Sequence, residues 1–90
     1  NLGRMIPATL TALIDPNSWQ VPAIFNVLQT AGEVTTAEMR QVFNMGIGMV
    51  LVVSPAEVDE VSAVLDNQKT AYQMIGKVVK RREQPVQYQE

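Results

Sequence analysis

The chain has 90 residues, 47% of them hydrophobic, and a formal net charge of -2, which suits one small globular domain and argues against a nucleic-acid partner. It contains no cysteine and no histidine, and this excludes disulfides, thiol nucleophiles, imidazole acid-base chemistry and the usual zinc sites. No apolar run reaches the ~18 residues of a membrane span, and no signal-peptide pattern is found, so the sequence favours a soluble, cytoplasmic protein without a membrane partner.

The start of the chain predicts a short helix, a strand and a turn. Residues 1–5 are expected to finish a helix, because Pro7 disfavours helical backbone just before it. Thr11 to Ile14 predict a short strand, and Asp, Pro, Asn and Ser follow at residues 15–18, each of which favours a turn. Trp19 is expected to pack over the edge of the core.

Two helices are predicted next. From about Val21, apolar residues recur three and four apart, with Pro22 in the first turn and Gly32 as a left-handed cap at the end. Thr35-Thr36-Ala37-Glu38 matches a capping box, which predicts a short helix that runs to about Phe43. The apolar residues expected on its inward face are Met39, Val42 and Phe43.

An apolar run follows two glycines. Gly46 and Gly48 permit a sharp bend, and the residues from about Gly48 to Val53 predict a strand buried on both faces. A purely structural turn and a backbone cradle for anionic oxygen atoms are both open interpretations of the glycines. The spacing excludes a dinucleotide loop, and the segment lacks the lysine of a P-loop. The methionines expected to fill the core are Met45, Met49 and Met74.

The rest of the chain predicts one more helix and two strands. Ser54-Pro55-Ala56-Glu57 is typical of a helix start, and the helix is expected to end at residues 66–68. The apolar residues expected on its core face are Val58, Val61, Ala63, Val64 and Leu65. Residues 70–82 predict a strand with Gly76 as a candidate bulge. Residues 86–89 predict a short edge strand or a disordered tail. Single strands separated by helices indicate an α/β or α+β domain.

Charged residues cluster twice in this last part. Glu57, Asp59 and Glu60 fall in the first turn of the predicted helix, where the helix dipole and solvent explain them better than a metal site does. Solvation or pairing with the acidic helix is the preferred interpretation of the later cations, and an oligomer contact is the alternative. These cations are Lys77, Lys80, Arg81 and Arg82.

The segment Phe43-Asn44-Met45-Gly46-Ile47-Gly48-Met49 resembles the Phe-Asn-x-Gly-x-Gly-Met motif of the phosphoribosylformylglycinamidine cyclo-ligase (aminoimidazole ribonucleotide synthetase) family. The upstream residues similar to that family's Asp-x-x-Ser-Trp-x-x-Pro-x-Ile-Phe-x-x-Leu-Gln pattern are Asp15, Ser18, Trp19, Pro22, Ile24, Phe25, Leu28 and Gln29. Ile75-Gly76 with Val78-Val79 resembles its closing strand. Asn1 and Arg4 match its Glu-Asn-x-x-Arg pattern, with the glutamate and the preceding glycines absent. The resemblance covers nearly the whole chain but only the last part of such an enzyme.

The resemblance implies an α+β fold, in which a mixed β-sheet is flanked by α-helices. Residues 1–90 would form the C-terminal part of a single domain, with the N-terminal ATP-binding domain absent. The implied reaction belongs to de novo purine biosynthesis: ATP activates the formyl oxygen of formylglycinamidine ribonucleotide, and an internal nitrogen closes the imidazole ring. ATP and magnesium would bind the full-length enzyme, whereas this chain alone would bind neither, supply no catalytic residue or metal ligand, and be inactive.

The resemblance also implies which residues contact the substrate. A guanidinium suits a phosphate and an amide suits a ribose or amidine group. The predicted substrate-binding residues are Asn1, Arg4, Asn44, Met45, Gly46, Gly48 and Met49. The complete enzyme is expected to be a homodimer. A non-catalytic binding or assembly module with the same fold is the alternative, and selenophosphate synthetases and thiamine-phosphate kinases share the architecture but fit the Trp19 and Phe43 segments less well.

Overall fold

A computed structural model describes residues 1–89 of the chain. The helices are α1 (Leu2–Met5), α2 (Ala23–Gly32), α3 (Thr36–Val42) and α4 (Val58–Asn67), and the strands are β1 (Leu10–Ile14), β2 (Gly76–Lys80) and β3 (Val86–Tyr88). A 3-10 turn at Pro55–Glu57 leads into α4. The chain divides into two compact units, one made of residues 20–50 and the other of the residues before and after them.

The sheet belongs to the larger unit and has the order β2-β1-β3. β1 pairs antiparallel with β2, from Leu10 opposite Lys80 to Ile14 opposite Gly76. It pairs parallel with β3, where Ala12 lies opposite Val86. Both edges of β1 are thus occupied, and residues 11–14 are buried. This mixed sheet, together with the helices, confirms the α+β prediction.

The core of the larger unit lies against one face of β1. Ile6, Ala12 and Ile14 form its buried centre. Partly buried apolar side chains pack around that centre, and they are Leu2, Leu10, Trp19, Ile75, Val86 and Tyr88. The position predicted for Trp19, at the edge of the core, is confirmed.

The segment between β2 and β3 crosses the start of β1, and hydrogen bonds hold it there. Thr11, which is 0% exposed, donates from its hydroxyl to the Gln84 carbonyl at 2.7 Å and accepts from the Arg82 amide at 2.8 Å. The Arg81 guanidinium donates to the carbonyl oxygens of Ala8 at 2.8 Å and Pro7 at 3.3 Å. Arg81 therefore fastens two loops, a structural role that differs from solvation or pairing with the acidic helix.

The smaller unit is a pair of helices joined by a short loop. Thr35 caps α3 as predicted, since its hydroxyl accepts a hydrogen bond from the Glu38 amide at 3.2 Å. The rings of Phe25 and Phe43 meet with centroids 5.7 Å apart and a 58° tilt. Met39 is buried, which confirms its predicted inward position, whereas Val42 is 66% exposed and contradicts the prediction made for it.

The strand predicted from Gly48 to Val53 is wrong. Residues 47–54 take no regular secondary structure, and most of their apolar side chains are exposed, with Met49 at 84% and Leu51 at 58%. An extended run becomes a strand only when another backbone pairs with it. Among the described residues no strand does so, because the sheet contains only β1, β2 and β3. Met49 and Met74 are exposed and do not fill the core.

Three further details differ from the prediction. Glu33, not Gly32, adopts the left-handed backbone after α2, with φ 53°. The strand predicted for residues 70–82 is confined to β2, and Gly76 pairs in register with Ile14 with no bulge. The predicted core face of α4 is only partly covered, since Val64 is 57% exposed while Val58, Val61 and Leu65 are half-buried. The end of α4 and the edge strand β3 are confirmed.

Candidate functional site

The glycine loop of the smaller unit forms a tight turn. Met45 and Gly46 both have positive φ, at 54° and 101°, and the Ile47 amide donates to the Asn44 carbonyl at 3.0 Å. Two left-handed central residues are the mark of a type I′ turn. The Asn44 side chain closes the turn further, because its Oδ1 accepts from the Gly46 amide at 2.9 Å.

These contacts correct the idea of a free-amide cradle at residues 46–48. The Gly46 and Ile47 amides already have acceptors on Asn44, so an anion would have to displace those bonds to reach them. Asn44 acts here as a turn-forming residue whose carboxamide oxygen is engaged. The loop can still present its exposed side chains and the Gly48 backbone to a ligand, and Asn44 and Met49 are exposed.

Gly46 and Gly48 have different structural roles. A Cβ at Gly46 would lie 2.6 Å from the Pro22 Cδ, and its positive φ strains any other residue as well. A Cβ at Gly48 would meet no atom within 4 Å, and φ there lies outside the left-handed region. Gly46 is therefore required by the turn, whereas nothing within the fold requires Gly48. An open approach to the backbone is what a contact with a ligand needs.

Asn1 and Arg4 lie in the larger unit, at the first turn of the chain. Asn1 is the N-cap of α1, and its carbonyl accepts from the Arg4 amide at 3.1 Å. Both residues are exposed. Helix α1 is held by packing: the position a Cβ would take at Gly3 lies 3.5 Å from Pro85 and 3.6 Å from Val86. Arg4 thus lies on a short helix that packs against the start of β3.

The predicted residues therefore form two local groups. Residues 44–49 belong to the helical unit, and Asn1 and Arg4 belong to the unit that contains the sheet. Each group has a defined backbone: a closed turn in one and a seated helical turn in the other. Asp59 and Glu60 lie in the first turn of α4 as expected. Among residues 1–89, no three acidic side chains come together in a group that would hold a metal ion.

An open depression beside α4 was not predicted. Its volume is about 310 Å³. Val61, Val64 and Leu65 of α4 line it together with Leu51, and Glu57 and Glu60 complete the lining. The helical spacing of the valines was visible in the sequence, but it indicated a core face, because the pattern does not show whether another element covers it. None of the helices in the described part of the chain is long and apolar enough to cross a membrane.

The family model for the AIR synthase related protein C-terminal domain matches residues 1–89, and the chain belongs to this family. Within it, the chain is similar to proteins named phosphoribosylformylglycinamidine cyclo-ligase. One from Thermodesulfovibrio yellowstonii is 42% identical over 80 residues, which is 89% of this chain and 23% of that protein. A chloroplastic/mitochondrial one from Vigna unguiculata is 46% identical over 81 residues, 88% of this chain and 20% of that protein.

A third relative, from Bifidobacterium longum, is 49% identical over 73 residues, or 80% of this chain and 21% of that protein. The chain therefore spans about a fifth to a quarter of the length of the relatives it matches. The match confirms the family resemblance found in the sequence.

Proposed function

We propose that this chain is the C-terminal portion of an ATP-dependent phosphoribosylformylglycinamidine cyclo-ligase, which converts formylglycinamidine ribonucleotide to aminoimidazole ribonucleotide. The observation that carries the proposal is the 42–49% identity over most of the chain to bacterial and plant proteins of that name. A non-catalytic binding or assembly module is not favoured, because relatives from both bacteria and a plant bear the enzyme name over this stretch.

ATP and magnesium belong to the rest of the enzyme in this proposal. The described residues do not fit either group: they contain no acidic cluster for a metal, and the glycine turn lacks the spacing and lysine of a phosphate loop. When bound elsewhere in the enzyme, ATP supplies the phosphoryl group that makes the formyl oxygen a leaving group. This chain's part is to bind and orient the ribonucleotide.

Two features of the chain support a substrate-binding role. Arg4 is an exposed guanidinium on a seated helical turn, and this group binds phosphate oxygens in a bidentate manner. The loop from Asn44 to Met49 offers a fixed turn followed by an open backbone at Gly48. We assign phosphate contact to Arg4 and contact with the sugar or amidine to Asn1 and the Asn44–Met49 loop.

A chimera tests the function. Residues 1–90 replace the matching stretch of the Thermodesulfovibrio yellowstonii protein, and ATP-dependent formation of aminoimidazole ribonucleotide is measured with the purified chimera. We expect turnover within about tenfold of the parent, a barrier change of no more than ~1.4 kcal/mol. A chimera that unfolds at the parent's temperature yet forms no product would contradict the proposal.

Arg4 is tested within the same chimera. Arg4→Ala should raise KM for the ribonucleotide on the order of tenfold, since a charged hydrogen bond contributes about 1.5–3 kcal/mol. Arg82→Ala is the matched control, because Arg82 is also exposed and its only hydrogen bond to Thr11 is made by its backbone amide. Equal KM values for the two variants would count against phosphate contact by Arg4.

We also propose that the complete enzyme is a cytoplasmic homodimer with a small-molecule substrate and no nucleic-acid partner. The family resemblance supports this assembly. Analytical ultracentrifugation of the chimera checks it: the expected mass is that of two chains, and a monomer at micromolar concentration would contradict it.

A further inference from the structure

The side chain of Asn44 has a fixed orientation in the glycine loop. Its carboxamide lies 2.9 Å from the backbone nitrogen of Gly46. A backbone N–H can only donate a hydrogen bond, so the carboxamide atom that faces it is the oxygen Oδ1 and not the nitrogen Nδ2. The other orientation, with oxygen and nitrogen exchanged, would place two donors against each other. Nδ2 is therefore the atom that Asn44 has left to offer another group.

Helices α2 and α3 hold the turn in which Asn44 lies. The amide of Phe43, the preceding residue, donates to a carbonyl of α3 at 2.9 Å, and its ring contacts Phe25 of α2. On the other side of the turn, Pro22 packs so closely that a Cβ on Gly46 would lie 2.6 Å from the proline Cδ. A group that is already held in position loses little conformational entropy when it binds a ligand.

The Nδ2 atom of Asn44 is an unused hydrogen-bond donor. Asn44 is exposed, and over residues 1–89 its side chain makes one hydrogen bond, which Oδ1 accepts from Gly46. Both N–H groups of Nδ2 thus lack an acceptor in the described part of the chain. The sequence has no charged residue from position 41 to position 56, so the loop itself offers a neutral donor and no ionic group.

A group that only donates selects acceptor atoms, and this decides between the substrate groups proposed for the loop. A protonated amidine carries N–H groups alone and has no lone pair to accept a hydrogen bond. Each hydroxyl oxygen of a ribose has two acceptor lone pairs. The phosphate is assigned to Arg4, whose guanidinium suits it better than a neutral amide does. The sugar is therefore the group that matches the fixed Nδ2 of Asn44.

We propose that Asn44 Nδ2 donates a hydrogen bond to a ribose hydroxyl oxygen of formylglycinamidine ribonucleotide. This inference rests on the proposed function and narrows the contact of Asn44 from the sugar or the amidine to the sugar. It makes Asn44 a specificity-determining residue. An analogue without the accepting hydroxyl leaves the donor unpaired in the complex, and sites built around such a bond reject analogues of that kind.

Asn44→Asp in the chimera separates the donor from the turn. An aspartate oxygen accepts the Gly46 N–H as the asparagine oxygen does, but the two donors of Nδ2 are lost. We expect an unchanged unfolding temperature and a KM for the ribonucleotide that rises on the order of tenfold. Asn67→Asp is the matched control, since it makes the same charge change at an exposed position at the end of α4.

Two results with these variants would overturn the proposal. The first is a KM for Asn44→Asp equal to that of Asn67→Asp. The second is a loss of activity that follows a lower unfolding temperature, because this would show that Nδ2 donates to another part of the protein and not to the substrate.

Substrate analogues identify the acceptor. The 2′-deoxy and 3′-deoxy forms of the ribonucleotide are assayed with the unsubstituted chimera and with Asn44→Asp. The variant should raise KM on the order of tenfold for the analogue that keeps the accepting hydroxyl, and by much less for the analogue that lacks it. An equal increase for both analogues would indicate repulsion between the new carboxylate and the phosphate, and would overturn the proposal.

The same assays distinguish a failure of this inference from a failure of the proposed function. A folded, unsubstituted chimera that forms no product contradicts the proposed function and this inference with it. An active chimera whose response to Asn44→Asp is the same for both analogues contradicts the contact between Asn44 and the sugar alone.

Discussion

Thr11 shows what a single residue contributes that a sequence pattern does not reveal. In the sequence it is one β-branched residue at the start of an apolar strand. In the structure its hydroxyl both donates and accepts, bonding Gln84 and Arg82 more than 70 positions away along the chain. A fully buried hydroxyl with both functions satisfied stabilises the crossing between β2 and β3. The alternation of side chains along a strand predicts which face Thr11 takes but not these remote partners.

Replacing Thr11 measures that contribution. Thr11→Val keeps the volume but leaves the Arg82 amide and the Gln84 carbonyl without a partner, so the free energy of unfolding should fall by about 1–3 kcal/mol. Thr11→Ser keeps both hydrogen bonds and loses one methyl group, which costs about 0.8 kcal/mol. Urea unfolding of both variants provides the comparison. A valine variant at least as stable as the serine variant would show that the hydroxyl bonds contribute nothing.

Gly46 and Gly48 allow effects on substrate binding to be separated from effects on the stability of the fold. Within the chimera, Gly48→Val should weaken substrate binding on the order of tenfold, with little change in the unfolding temperature, because a Cβ there meets no neighbouring atom. Gly46→Val should instead destabilise the fold by about 1–2 kcal/mol or more, since φ is positive and Pro22 is close. KM and thermal unfolding are measured for both. If Gly48→Val lost activity only in step with unfolding, a purely structural turn would be the better interpretation.

Among the helices and strands, the features that depend on neighbouring residues in the sequence were predictable. The features that depend on contact with another element were not. The capping hydroxyl of Thr35 and the proline before α4 act within a few residues, and the sequence placed both helix starts correctly. Residues 48–53 have the composition of a buried strand, yet pairing depends on another backbone, which a local pattern does not contain. The same reason applies to α4. Its apolar residues have the helical spacing that was predicted, but the burial predicted for Val64 was wrong.

Gly76 lies where the backbones of β1 and β2 come into close contact. A Cβ at this position would overlap the Leu13 carbonyl oxygen of the neighbouring strand, so the residue must be glycine for β1 and β2 to pair. Gly76→Ala should destabilise the chain by about 1–3 kcal/mol and reduce hydrogen-exchange protection in β2 more than in α3. Gly3→Ala is the control: its nearest atoms are at ordinary contact distance, and alanine favours the helix. Protection in β2 unchanged by Gly76→Ala would contradict the close contact.

The whole molecule combines a small core with a long uncharged surface segment. From Gln41 to Ala56 the chain carries no charged residue, and the apolar side chains from Met49 to Val53 are mostly exposed. An exposed apolar run of this kind is a site for association or for coverage by another part of a protein. The family match accords with the second role, because the relatives are four to five times as long as the matched stretch.

Adding charge to the exposed apolar stretch Met49–Val53 should therefore change the surface of the molecule without changing its fold. Met49→Glu/Val52→Glu replaces two exposed apolar side chains, so binding of an apolar fluorescent dye should fall by about half, while the unfolding temperature changes little. Thr30→Glu/Gln41→Glu makes the same charge change at exposed positions outside the apolar stretch Met49–Val53. Dye binding of this variant should stay near that of the original chain. If the two double variants reduced dye binding equally, net charge and not the apolar run would be responsible. If the first variant alone unfolded, the run would instead be part of the core of the chain.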